Sequence, residues 1–140
     1  MNDTVTVRIR SHPQYLSLIR DVTVRFCSIC GLAGEVAGDL KLAVDEACAN
    51  VIKHAYRGDT SRRIVVKYAI TGRDLRITIE DAGEKARLEL MQGRDLDDIR
   101  PGGLGLHFIK RVFDTVAYDP KRKKGNRMLL IKHLGSRDED

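Results

Sequence analysis

Two alternating runs constrain this chain more than any other feature. "RIVVKYAI" (residues 63–70) and "LRITIED" (75–81) place an apolar side chain at every second position, and only the Gly72-Arg73-Asp74 turn lies between them. Period-two alternation is the mark of a half-buried strand, and a turn this short joins antiparallel neighbours. A third run, "TVTVRIR" at 4–10, alternates in the same way, with Val5, Val7 and Ile9 on the core side. Near the C-terminus "TVAY" and "RMLLIKHL" add a short and a longer strand.

Between the strands the period changes to that of a helix. Ser11-His12-Pro13 is a helix start, after which Leu16, Ile19, Val22 (or Thr23) and Phe26 recur at helical spacing until Gly31. A second helix is expected over 35–56, with Leu40, Val44, Ala47, Val51 and Ala55 as its apolar side and Gly58-Asp59 as its end. From Ala82 to Pro101 the pattern breaks down for about twenty residues, which in a compact domain suggests a functional loop such as a lid. A third helix runs from Gly103 to about Phe113. The order β-α-α-β-β-lid-α-β-β predicts a two-layer α/β sandwich with a mixed, mostly antiparallel sheet covered by helices on one face.

Bulk properties narrow the function classes. With 140 residues, 42% hydrophobic and 32% charged, the chain fits one globular domain. We take 1–135 as that domain and 136–140 as an acidic tail. The net charge of +5 is concentrated in Lys121-Arg122-Lys123-Lys124 and Arg127. No aromatic residues interleave them as a stacking surface for nucleic acid would need, and Pro120 and Gly125 bracket them as a solvated turn. Direct nucleic-acid binding is therefore not expected. Cys27 and Cys30 form a C-x-x-C at the end of a helix, without a second pair for zinc. With Cys48 they read as small buried residues in a reducing cytoplasm. The N-terminus lacks the pattern of a signal peptide, and no apolar run approaches about 18 residues, so no membrane association is expected.

Three segments carry residue types suited to chemistry. In "VDEACANVIKHAY", Glu46 and Asn50 share one side of a helix, with Lys53 and His54 one turn on. An Asn carbonyl oxygen is a hard ligand suited to Mg²⁺, and a carboxylate one turn away could take a proton from an attacking hydroxyl. Lys53 or His54 could meet phosphate oxygens; the same stripe would also serve as the exposed face of an amphipathic helix. In "ITIEDAGEK", Asp81 follows a strand and Gly83 stands two residues on. Such a carboxylate can accept from an exocyclic amine, and the glycine lets the backbone approach a flat ring; an ordinary strand-to-turn ending uses the same residues. In "RPGGLGLHFIKR", Arg100 and Gly102, Gly103 and Gly105 lead into a helix, which makes either an anion site or a flexible hinge. The P-loop, the dinucleotide-binding glycine motif, the common protein-kinase motifs and the hydrolase elbow are all absent.

Taken in order, "DEACANVIKHAY", "IEDAG" and "PGGLGLHFIKRVFDTVAY" resemble the GHKL (Bergerat-type, histidine-kinase-like) ATPases. More narrowly, they resemble the bacterial anti-sigma factor serine/threonine kinases, over nearly the whole chain. The resemblance implies that Asn50 is the Mg²⁺ ligand and Glu46 the general base for phosphorylating a serine. It places Lys53 and His54 near phosphates and makes Asp81, with Gly83, the adenine-recognising pair. Gly103 and Gly105, with Gly102, Leu104, Leu106 and Arg100, would form the second glycine box, and Glu84 to Pro101 the ATP lid. It also implies ATP and Mg²⁺ as cofactors, a sigma factor and a STAS-domain anti-anti-sigma protein as partners, and a homodimer. Lys85 departs from the family's D-x-G-x-G pattern, which has a second glycine there. A side chain at that position either narrows the pocket mouth or carries an ammonium to a phosphate. An alternative role is a switch module of the same fold that binds nucleotide or protein without transferring phosphate, and Glu46→Gln separates the two. A third is a basic α/β domain whose carboxylates and glycines are incidental.

Overall fold

The computed structural model describes residues 3–86 and 103–135, with the side chains of 103 and 104 excepted. Arg100, Gly102, most of the expected lid and the acidic tail lie outside the described residues.

Five strands and three α-helices build the fold among the described residues. Strand β1 is Thr4–Arg10, a 3₁₀ turn spans Pro13–Tyr15, α1 is Leu16–Ile29 and α2 is Gly34–Asn50. Strands β2 (Arg63–Thr71) and β3 (Asp74–Asp81) follow, then α3 (Gly103–Val112), β4 (Thr115–Tyr118) and β5 (Asn126–His133). The sheet order is β1-β2-β3-β5-β4. All four pairings are antiparallel, so the parallel pair that a mixed sheet would allow does not occur among the described residues. The chain does cross between β3 and β4 through α3, but β4 then pairs only with β5, which returns beside β3 in the opposite sense.

Alternation decides which side of the sheet the helices cover. Ile64, Val66 and Tyr68 of β2, Leu75, Ile77 and Ile79 of β3, and Met128 and Leu130 of β5 are buried against Ile19, Leu40, Val44 and Ile109 of the helices. Helix α2 packs against both α1 and α3 and is the central element of the helical layer. The other face carries Lys67, Glu80 and Arg127, whose charges pair there: Glu80 Oε2 lies 3.0 Å from Arg127 Nε and 3.3 Å from Lys67 Nζ.

Val5, expected on the core side of the edge strand β1, is exposed, while Val7 is partly buried and Ile9 buried. Two further places differ from the expected core. Thr23 is fully buried on α1, whereas Val22 is only partly so. The threonine is accommodated because its hydroxyl is satisfied: Oγ1 donates to Ile19 O at 2.7 Å and lies 2.8 Å from the Tyr68 phenol. The second difference is at the end of α2. Residues Val51–Ala55 form a single π-helical turn, closed by Tyr56 N–H donating to Val51 O at 2.9 Å. A π turn inserts one extra residue, so everything beyond it lags by one position. The core side chains there are consequently Ile52 and Tyr56, and the expected Val51 and Ala55 are only half-buried.

The three cysteines are free and buried, as expected of small core residues. Burial pushes the Cys27 thiol up to about 11 and the Cys48 thiol up to about 12. The basic run 121–124 lies in the turn between β4 and β5, with Lys121, Lys123 and Lys124 exposed. No helix among the described residues is long and apolar enough to cross a membrane.

Candidate functional site

The site gathers at one end of α2, where three remote segments converge. Glu46 lies on the last turns of α2, and α3 crosses directly over it. The contact is made at Gly105: a Cβ built there would stand 2.2 Å from Glu46 Oε1 and 2.6 Å from its Cγ. Only a residue without a side chain lets α3 approach this closely. Gly103 opens the helix, Gly105 is buried in its first turn and Leu106 is buried beside it. The second glycine segment is thus seated on the carboxylate that the sequence singles out, 59 positions earlier in the chain.

Four residues beyond Glu46, the carboxamide of Asn50 is partly buried. Its Oδ1 is a buried side-chain oxygen without a hydrogen-bond partner among the described residues. Leaving such an oxygen unpaired costs about 1–3 kcal/mol, so it marks a place prepared for something else. A hard cation fits this donor. Mg²⁺ takes oxygen ligands, keeps most of its waters and needs few protein groups. No cluster of three or more His, Cys, Asp or Glu that could hold a metal occurs among the described residues, so a single carbonyl with water and phosphate ligands is the arrangement these residues can support. Lys53 and His54, on the π turn, are both exposed.

The end of β3 is tied to the end of α2 by main-chain contacts. Gly83 packs on the π turn so closely that a Cβ would fall 2.3 Å from Ala55 O. Glu84 N–H donates to that same oxygen at 2.8 Å, and the Glu84 carboxylate pairs with Arg57 Nε at 2.6 Å. The room left by Gly83 is therefore filled by Ala55. Tyr56 completes the link: its phenol donates to Arg63 O and accepts from Ala82 N–H at 2.9 Å.

Asp81 is 5% exposed and faces the helical layer with Ile79 and Ile77. Gly83 N–H donates to its Oδ1 at 2.8 Å, and the Asn126 amide donates to Oδ1 at 3.0 Å. Burial pushes the carboxyl above its ordinary value, and these hydrogen bonds and the charge of Arg122 oppose that rise. Lys85 does not reach toward Asn50 or Glu46. Its ammonium donates to the main-chain oxygen of Arg122 in the β4–β5 turn.

Structure thus brings Glu46 together with Gly105, and Asp81 together with Gly83, around the helix that carries Asn50. Sequence reasoning missed Tyr56, Asn126 and Arg57. Tyr56 closes the quoted "HAY" string and Asn126 opens the last strand, but neither has a local pattern that reveals its partner.

A small antiparallel sheet, with a helical layer that presents a carboxylate, a carboxamide oxygen unpartnered among the described residues and a glycine-rich helix start, defines a class of nucleotide-binding fold. The sequence profile of the histidine kinase-like ATPase domain matches residues 9–132, and the chain belongs to that family. It is 32% identical to the serine-protein kinase RsbW of Listeria monocytogenes, covering 98% of this chain and 91% of that protein. With the serine-protein kinase RsbW of Bacillus subtilis it shares 25% identity, covering 99% of this chain and 90% of the relative. Among solved structures, the RsbU and RsbW domains of Rv1364c from Mycobacterium tuberculosis superpose with a TM-score of 0.68 at 16% identity. That match covers 94% of this chain and 32% of the other, and the likeness is one of fold.

Proposed function

We propose that this chain is an ATP-dependent protein serine/threonine kinase that works as an anti-sigma factor in the cytoplasm, phosphorylating a STAS-domain anti-anti-sigma protein. The observation that carries this reading is the unpartnered Asn50 oxygen one helical turn from a carboxylate that α3 covers. The relatives named above as serine-protein kinases support the reaction class.

In this account Asn50 presents its carbonyl to the metal, and Asp81 accepts a hydrogen bond from the 6-amino group of adenine beside Gly83. Magnesium, when bound, would neutralise charge on the phosphate oxygens as the phosphoryl group moves. Main-chain N–H groups at the start of α3, from Gly103 through Leu104 to Gly105, face the phosphates, with the buried Leu106 seating that turn on the core. Lys53 and His54, and beyond the described residues Arg100 and Gly102, complete the phosphate side. Glu46 accepts the proton of the substrate serine as its oxygen attacks the γ-phosphorus, and the bond to the β-phosphate oxygen breaks. Positioning and charge supply most of the rate in such a transfer. The new phosphoserine adds charge and three acceptor oxygens, which drives the antagonist off and leaves the kinase, as a homodimer, free to hold its sigma factor.

A module that only binds would be favoured by a lysine blocking the pocket mouth, but Lys85 is engaged with the β4–β5 turn instead. The direct test is transfer of labelled γ-phosphate to a purified STAS-domain protein. Wild type should label one serine, and Glu46→Gln should lose transfer by roughly 10²–10⁴-fold while still binding ATP. Undiminished transfer by that variant would remove Glu46 from the mechanism.

A further inference from the structure

Asn126 is buried to 6% exposure and faces Asp81 across the β3–β5 pairing. Its amide makes four contacts among the described residues. Nδ2 donates to Asp81 Oδ1 at 3.0 Å, more weakly to Oδ2 at 3.3 Å, and to Glu84 O at 2.8 Å. Oδ1 accepts from Ala86 N–H at 2.8 Å. The orientation of the carboxamide is fixed by this set, because only the nitrogen can serve two oxygens and only the oxygen can serve an N–H. With Gly83 N–H also on Oδ1, that oxygen is doubly engaged. Among the described residues Oδ2 receives only the long contact and keeps a lone pair for something else.

We infer that Asn126 is a positioning residue that holds Asp81 as a fixed, acceptor-only carboxylate and thereby sets the preference for a base bearing an amine over one bearing a carbonyl. The inference rests on the proposed role of Asp81 in reading adenine. An ionised carboxylate can only accept, so it pairs with a 6-amino group and repels a 6-oxo group; a protonated one offers an O–H and can pair with the oxo group. Discrimination at this position therefore depends on keeping Asp81 charged and turned so that Oδ2 faces the ligand. Other groups around Asp81 do not supply that control. Tyr56 at the end of the π turn and Tyr118 on β4 are phenols pushed up by burial, Tyr118 to about 12, and stay neutral at ordinary pH. The charge of Arg122 from the β4–β5 turn opposes the rise of the Asp81 carboxyl, and Arg62 donates to Ala82 O at 3.0 Å. The Glu84 carboxylate is held by Arg57. The same Asn126 side chain also anchors Glu84 and Ala86, so the strand end and the chain that leaves it are set by one amide.

The test compares binding of Mg²⁺-ATP and Mg²⁺-ITP, which differ at the 6-position of the base, by wild type, Asn126→Asp and Asn126→Ser between pH 6 and 8.5. Wild type should prefer ATP with a ratio that is flat in pH. Asn126→Asp places a second carboxylate against Asp81 and makes the pair share a proton. Its ATP-to-ITP ratio should fall by about tenfold or more, and fall further as pH drops. Asn126→Ser keeps a donor hydroxyl at shorter reach and should give a smaller fall. Circular dichroism and melting establish that each variant folds, and Asn126→Ser decides the matter if the aspartate variant does not. A folded variant whose ratio and pH profile match wild type would overturn the inference, as would failure of both to fold, which would make the amide a folding residue only. Wild type that binds neither nucleotide would instead bring down the reading of Asp81 itself.

Discussion

Gly105 of α3 lies against the carboxylate of Glu46: a methyl group at that position would stand 2.2 Å from Oε1. Two elements distant in sequence are thereby fixed to one another at the atom proposed to receive the serine proton. A Gly105→Ala substitution must push either the helix or the carboxylate aside. Displacements of about 1 Å in a catalytic group lower turnover by on the order of 10²-fold. The expected result is a large loss of phosphotransfer, with nucleotide-induced stabilisation kept where the carboxylate yields and reduced where the helix does, read from γ-phosphate labelling and melting on the same preparation.

Asn50 should behave oppositely with and without ligand. Its buried Oδ1 has no partner among the described residues, so Asn50→Ala removes an unsatisfied acceptor and places a better helix former at the end of α2. Without nucleotide the variant should melt at the same temperature as wild type or up to about 4 °C higher. With Mg²⁺-ATP it should show little or no stabilisation. Scanning calorimetry in both conditions checks the pair of signs.

Asp81 makes a prediction about pH. Its carboxyl is raised above the ordinary 3.8 by burial. Between the ordinary and the raised value the folded state binds more protons than the unfolded state, so this group makes stability fall as pH rises through that window. Above it the buried charge is a steady burden, offset by Gly83 and Asn126. Asp81→Asn should abolish this part of the pH slope. Urea unfolding at several acidic pH values measures it, and an unchanged slope would mean that another carboxyl carries it.

Tyr56 ties the end of α2 to the strand end, through Ala82 N–H and Arg63 O. Tyr56→Phe keeps the ring in the core but leaves the Ala82 N–H without this acceptor. A loss of about 1–2 kcal/mol in denaturant unfolding is expected, with weaker ATP binding because Asp81 is the neighbouring residue.

Much of this was legible in the sequence, for identifiable reasons. The β2–β3 hairpin follows from period-two alternation around a short turn, and the pairing of Val66 with Ile79 and Tyr68 with Ile77 bears it out. Helix α2 was legible as far as Ala47, beyond which the π turn shifts the buried set by one residue to Ile52 and Tyr56. No periodicity announces a π turn; it is fixed by tertiary contacts such as the one from Glu84 N–H to Ala55 O. Thr23 was a marginal core position because its burial depends on Tyr68, 45 residues away. The same holds for the site. Glu46, Asn50 and Asp81 stand in local strings that can be read, whereas Asn126 acquires meaning only because β5 lies beside β3. The glycines at 83 and 105 were visible as glycines, but the groups they accommodate, Ala55 and Glu46, were not.

The most direct test of the central claim is the melting temperature of the purified protein with and without Mg²⁺-ATP, for wild type, Asn50→Ala and Asp81→Asn. At one hundred times its dissociation constant a ligand stabilises by about 2.7 kcal/mol. The account predicts a clear upward shift in wild type that both substitutions abolish. No shift in wild type, or a shift that survives both substitutions, would contradict an ATP site built on Asn50 and Asp81.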